Sequence, residues 1–132
     1  MFSAMQITKQ RFENLEIWKI SIELAEQVCQ IAERLEALRM NNFSEYMKSI
    51  CMRISNHIAE AADKCDEHNI YRLLMNAHLL ILESENIIMI LYEQQLVELS
   101  EKKSLLEKIH LLDEKILEYY HKSKGKYILN NI

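Results

Sequence analysis

Two Glu-x-x-His pairs, Glu107-x-x-His110 and Glu118-x-x-His121, come nearest to a chemical signature in this chain. Four-helix bundles hold carboxylate-bridged di-metal centres with that motif on each of two helices and a further Glu from each of the others. Here both pairs fall within one predicted helix, eleven residues apart, and His57-x-x-Glu60 has the reverse order. A metal-dependent enzyme would have to draw on His57, Glu60, Glu83 and Glu107, which supply only part of the motif. Solvated Glu and His side chains are the simpler reading. No glycine-flanked elbow presents a nucleophile, and the glycines that cradle phosphates are missing. No catalytic, cofactor-binding or metal-ligating residue is expected.

Two other groupings bear on binding. Arg53, His57, Glu60 and Lys64 follow one another at steps of three and four beside the apolar stripe Ile50, Ile54, Ile58 and Ala61. Such a ladder is either a row of solvated ion pairs or, if Glu83 or Glu85 meets it, a partly buried polar layer that sets helix register or a subunit contact. Arg53, His57, Glu60 and Glu83 are the candidates for that layer. Near the C-terminus, Lys115, Lys122, Lys124 and Lys126 alternate with Tyr119, Tyr120 and Tyr127. Lysines for phosphates and rings for stacking make this the one patch of nucleic-acid character, although the helix dipole favours basic C-termini in any case.

Helices must position all of these groups. Proline is absent and Gly125 is the only glycine, so the residues of tight turns and hairpins are almost wholly lacking. Apolar residues recur at three- and four-residue steps in four segments, predicting helices over residues 11–40, 45–66, 70–97 and 102–122. In the first, Leu15, Trp18, Ile22, Ala25, Cys29, Ala32 and Leu35 form one stripe, with Ile17, Ile20, Leu24, Val28, Ile31 and Leu38 beside it. Asn41 to Ser44 reads as the first break, with Ser44 capping helix two. Lys122-Ser123-Lys124-Gly125-Lys126 reads as the end of helix four. Short links force neighbours antiparallel, so the expected fold is all-α, an up-down-up-down four-helix bundle forming one domain over residues 1–132.

Nearly half of the residues are apolar and 27% are charged, a balance that excludes a disordered chain. No uninterrupted apolar run reaches the roughly 20 residues of a membrane span, and no segment before Gln10 has a secretory pattern; a cytoplasmic location is expected. Cys51 and Cys65 would lie about 21 Å apart on one helix, so reduced thiols are expected for Cys29, Cys51 and Cys65. The net charge is −4, yet residues 100–132 hold seven lysines against five acidic residues, making the last quarter the net-positive part. Leu79-Leu80-Ile81-Leu82 puts apolar side chains all round helix three, more than one bundle face can bury. Leu79 and Leu82 are therefore expected at a subunit contact.

Phe12-x-x-Leu15-x-Ile17-Trp18-Lys19 resembles the opening of the bacterial four-helix-bundle family related to the 23S ribosomal RNA intervening-sequence protein. Ile54-Ser55-Asn56-His57-Ile58-Ala59-Glu60-Ala61 is similar to that family's second-helix segment, and Ala77 with Glu83 to its third. Glu60 and Glu83 match, while Ser55, His57, Ala61 and Leu79-Leu80 stand where the family has Pro, Asn, Gly and Gly-Ser. The resemblance spans residues 11–120 and implies a non-enzymatic bundle that assembles into a ring, commonly a pentamer. A more distant likeness, to the accessory variability protein of diversity-generating retroelements, implies nucleic acid and a reverse transcriptase as partners. The expected function is thus a homo-oligomeric binding or scaffold protein, with a nucleic-acid-binding accessory protein as the alternative.

Overall fold

Apolar side chains at three- and four-residue steps give each helix one face to bury, and four such faces close a core. The computed structural model describes residues 11–64 and 66–130, with side chains as far as Lys124. A short 3-10 turn, Phe12–Asn14, leads into α1 (Glu16–Ala37), α2 (Asn41–Asp63), α3 (Glu67–Glu93) and α4 (Leu99–Asn130). Helix α1 packs on α2 and α4, and α3 on the same two, the closed square of an antiparallel up-down-up-down bundle. Leu24, Ile54, Ile81 and Leu112 are among the side chains almost wholly withdrawn from water at its centre. Burying one such side chain contributes about 1.5–3 kcal/mol, so the core and not helix propensity holds the fold.

The ends of the helices differ from the sequence expectation. Arg11 to Leu15 do not belong to α1: Leu15 is extended, and the helix starts at Glu16. Asn41 to Ser44 is not a break but the first turn of α2. Ser44 caps nothing; it is buried and donates its hydroxyl to Glu36 Oε1 at 2.7 Å. The chain turns instead at Arg39, with φ 61°, where Met40 N–H reaches Leu35 O and Arg39 N–H reaches Glu36 O. The same pair of bonds closes α3 around Gln95, φ 62°, with Leu96 N–H on Leu91 O and Gln95 N–H on Tyr92 O. Both are Schellman closures with a side chain at the left-handed position where glycine fits most easily. Asp66 starts α3 by accepting Asn69 N–H at 2.9 Å, so that helix begins before Ile70. Helix α4 runs through Gly125 to Asn130, beyond the stop expected at Lys122–Lys126. A helical glycine costs about 1 kcal/mol and does not break a helix.

The two stripes of α1 share the core. Ile17, Ile20, Leu24, Val28 and Ile31 of the second and Leu15, Ala32 and Leu35 of the first are buried, while Trp18, Ile22, Ala25 and Cys29 are half-buried and Leu38 is exposed. Among the described residues α3 exposes the most large apolar side chains, six against three on α4. Among the described residues α3 is the one helix long and apolar enough to cross a membrane, by length and composition only, and the bundle buries 44% of that window. A core helix passes the same test. Cys51 is buried and Cys29 half-buried, both as free thiols; Cys65 lies outside the described residues.

Candidate functional site

The carboxylates and imidazoles singled out by spacing are dispersed along α4. His110 donates from Nε2 to Glu85 Oε1 at 3.1 Å, Glu118 pairs with Lys115 at 3.4 Å, and the ring of His121 lies 5.6 Å from that of Tyr120. Among the described residues no three His, Cys, Asp or Glu side chains converge on a point where a metal ion could sit.

The ladder Arg53, His57, Glu60 and Glu83 does not close into one layer. Glu83 accepts a short hydrogen bond from the Tyr46 hydroxyl, and that bond holds the Tyr46 phenol above its usual range. Antiparallel packing of α2 on α3 decides this: Glu83 lies level with Tyr46, whereas Glu60 is fourteen residues further along α2, about 21 Å at 1.5 Å per residue. Arg53 and Glu60 are exposed, and His57 is half-buried with its Nδ1 lacking a hydrogen-bond partner among the described residues.

Of the C-terminal lysines, Lys115 sits between two carboxylates, Glu118 at 3.4 Å and Glu16 at 3.8 Å. Glu118 chiefly, and Glu16 less, keep its ammonium protonated above the usual range. Lys122 and Lys124 are exposed, and Lys126 lies outside the described side chains. Tyr119 is half-buried, and that burial raises its phenol pKa.

What the structure does bring together is an apolar stripe on the outside of α3. Leu79 is 55% and Leu82 48% exposed, and Tyr71, Met75, Met89 and Ile90 extend the row in both directions. Steps of four, three and seven residues place Met75, Leu79, Leu82 and Met89 along one outer line of the helix. Exposure of so many large apolar side chains on one helix goes beyond the scattered surface residues any soluble protein shows. Elsewhere Leu38, Tyr46 and Met52 are exposed, and on α4 Leu99, Leu111 and Leu117, six to twelve residues apart.

Beside the stripe, at the end of the bundle where α3 begins, α3 and α4 leave a slot. Its volume is about 210 Å³, and its walls are Tyr71, Leu74, Met75, His78, Asp113, Ile116, Leu117 and Tyr120. His78 Nδ1–H donates to Asp113 Oδ1 at 2.7 Å across its mouth. The rings of Tyr71 and Tyr120 stand 5.5 Å apart at an angle of 59°. Past them lies a basin of about 420 Å³ edged by Asp66, Glu67 and His68. Tyr120 donates to Glu67 at 3.4 Å, and partial burial, then Glu67, raise its phenol pKa. Sequence reasoning found Leu79 and Leu82 but missed Tyr71, Met75, His78 and Asp113. His78 and Asp113 are 35 residues apart, and only the pairing register of α3 with α4 makes them neighbours.

Fold and surface together define an all-α antiparallel four-helix bundle with one helix apolar on two sides. No family model matches the chain, no curated protein resembles it significantly, and no solved structure matches it.

Proposed function

We infer that this chain is a non-enzymatic binding or scaffold module that assembles with copies of itself through the outer face of α3. The observation that carries the reading is the row of exposed Leu79 and Leu82 with Met75 and Met89, a contiguous strip that a second copy would cover. Each large side chain withdrawn from water there contributes about 1–2 kcal/mol before association costs. The resemblance to the intervening-sequence family, whose bundles form rings, points the same way and favours a pentamer. Sedimentation velocity at micromolar concentrations tests this. Wild type should sediment as a species heavier than one chain, and the pair Leu79→Lys and Leu82→Lys should return it to monomer with its helix content intact. Leu111→Lys, on an exposed position of α4 away from the stripe, should leave the assembly unchanged. A wild-type chain that stays monomeric would sink the reading.

The second reading, a nucleic-acid-binding accessory protein, draws on exposed Lys122 and Lys124 on the last described turns of α4. Its mark is salt dependence: affinity for RNA or DNA should fall steeply with salt, and Lys122→Gln with Lys124→Gln should flatten the slope by about one to two phosphate contacts. Absence of binding at low salt ends it.

A further inference from the structure

We propose that the slot between α3 and α4 is a binding site for a small amphipathic organic cation, its apolar part held between the helices and its ammonium group at the tyrosine pair. The proposal goes beyond self-assembly and shares with it only Tyr71 and Met75 of the outer row of α3. The floor is built from buried Leu74 and Ile116 and the sides from exposed Met75 and Leu117, none of which offers a strong hydrogen-bonding group. At about 210 Å³ the space exceeds the roughly 150 Å³ that suffices for a benzene ring. A ligand in it therefore has an apolar body of about ring size.

The charge of the ligand follows from the rim. Tyr71 and Tyr120, their rings in contact 5.5 Å apart, wall both the slot and the basin beyond it, so a group leaving the slot passes over the ring pair and not between the two rings. Asp66 and Glu67 edge the basin, and Asp113 stands at the slot itself. Their hydrogen-bond partners are Asn69, Tyr120 and His78, and among the described residues no lysine or arginine lines either space. The described rim sets three carboxylates, Asp66, Glu67 and Asp113, against the imidazoles of His68 and His78. An anion is repelled there, and a neutral apolar molecule fills the slot but leaves the rim unused. Aromatic faces backed by carboxylates are the surroundings in which an ammonium, above all a quaternary one, is attracted without needing to donate a hydrogen bond.

The test is NMR titration of the full chain with benzyltrimethylammonium and, in parallel, with its neutral carbon isostere neopentylbenzene below its solubility limit. Both titrations are repeated on the Leu79→Lys, Leu82→Lys chain, so that burial of Tyr71 and Met75 in an assembly cannot hide the slot. Saturable shifts at Tyr71, Tyr120 and His78 with the cation, and weaker ones with the isostere, are expected. Tyr71→Leu should weaken the cation by about two- to fivefold, the range for one ring face near the surface, and leave the isostere nearly unchanged. Glu67→Gln should weaken it as well, and that loss should shrink as salt is added. Tyr71 and Glu67 lie at the surface rim, and a thermal melt checks that both variants fold. Equal binding of cation and isostere, or no saturable shift with the cation in either chain, overturns the proposal.

Discussion

His78 and Asp113 meet 2.7 Å apart across the seam between α3 and α4, where the carboxylate accepts the imidazole Nδ1–H. Among the described residues it is one of two polar links in this seam that involve a histidine, the other being His110 to Glu85 one or two turns away. Both follow from the register that core packing sets between α3 and α4, and each adds a small local tie to it.

Removing the first link should loosen α4 without unfolding the bundle. His78→Ala leaves a half-exposed carboxylate that water can reach, so the loss should be small, about 0.5–1 kcal/mol. Amide exchange should quicken around residues 110–120 and stay unchanged in α1 and α2. Exchange that quickens equally in all four helices would show that the link does not act locally.

The two left-handed helix ends should accept glycine with a gain. Arg39 and Gln95 hold φ near 60° against the clash of their own Cβ. Arg39→Gly and Gln95→Gly should each stabilise the fold by about 0.5–1 kcal/mol in urea unfolding, the relief of strain exceeding the added freedom of the unfolded chain. The sites share no contact partner in the Schellman closures, so the gains should add.

Cys51 should be inert while the protein is folded. Burial, with Cys29 as a lesser cause, pushes its thiol up to about 12 from an ordinary value of 9.0. At pH 8 roughly one molecule in ten thousand then carries the thiolate that alkylating agents attack. Peptide-level mass spectrometry should find Cys51 unlabelled in the native chain and labelled in denaturant. Linkage works here through the raised value: the unfolded thiol ionises near 9 and the folded one does not. The contribution of Cys51 is complete below pH 9 and declines as pH rises from there toward 12. The stability gap between wild type and Cys51→Ala should narrow over that window.

Asp66 carries the acid-side counterpart. Hydrogen bonding to Asn69, through backbone N–H first and side chain second, holds its carboxyl below the ordinary value of 3.8. A depressed value means that stability is present above pH 3.8 and is lost as pH falls through the lower folded value. Asp66→Ala should lower the thermal midpoint at pH 7 by about a few degrees, the usual effect of removing an N-cap. Asp66→Asn should keep most of the cap, and its midpoint should approach that of wild type as the solution is acidified.

Periodicity alone specified the all-α bundle and its four helices, because any amphipathic helix must hide its stripe and short links leave only antiparallel neighbours. It also marked Leu79 and Leu82 as surplus to the core, since four consecutive apolar residues cannot all point inward at 3.6 residues per turn. Boundaries were less legible. Asn41 and Asn42 look like a break by residue type, yet the turn falls at Arg39, where backbone geometry rather than composition closes α1. Which members of the two α1 stripes are fully buried, Leu24 and Leu35 but not Trp18 or Leu38, depends on the rotation imposed by α2 and α4, a quantity that no single helix encodes. Register decided the rest: it set Tyr46 and not Glu60 against Glu83, and it placed Tyr71 beside Tyr120 to shape the slot. Spacing along one helix is a local property of the chain, whereas proximity between helices is an outcome of packing, and the groove exists only in the second.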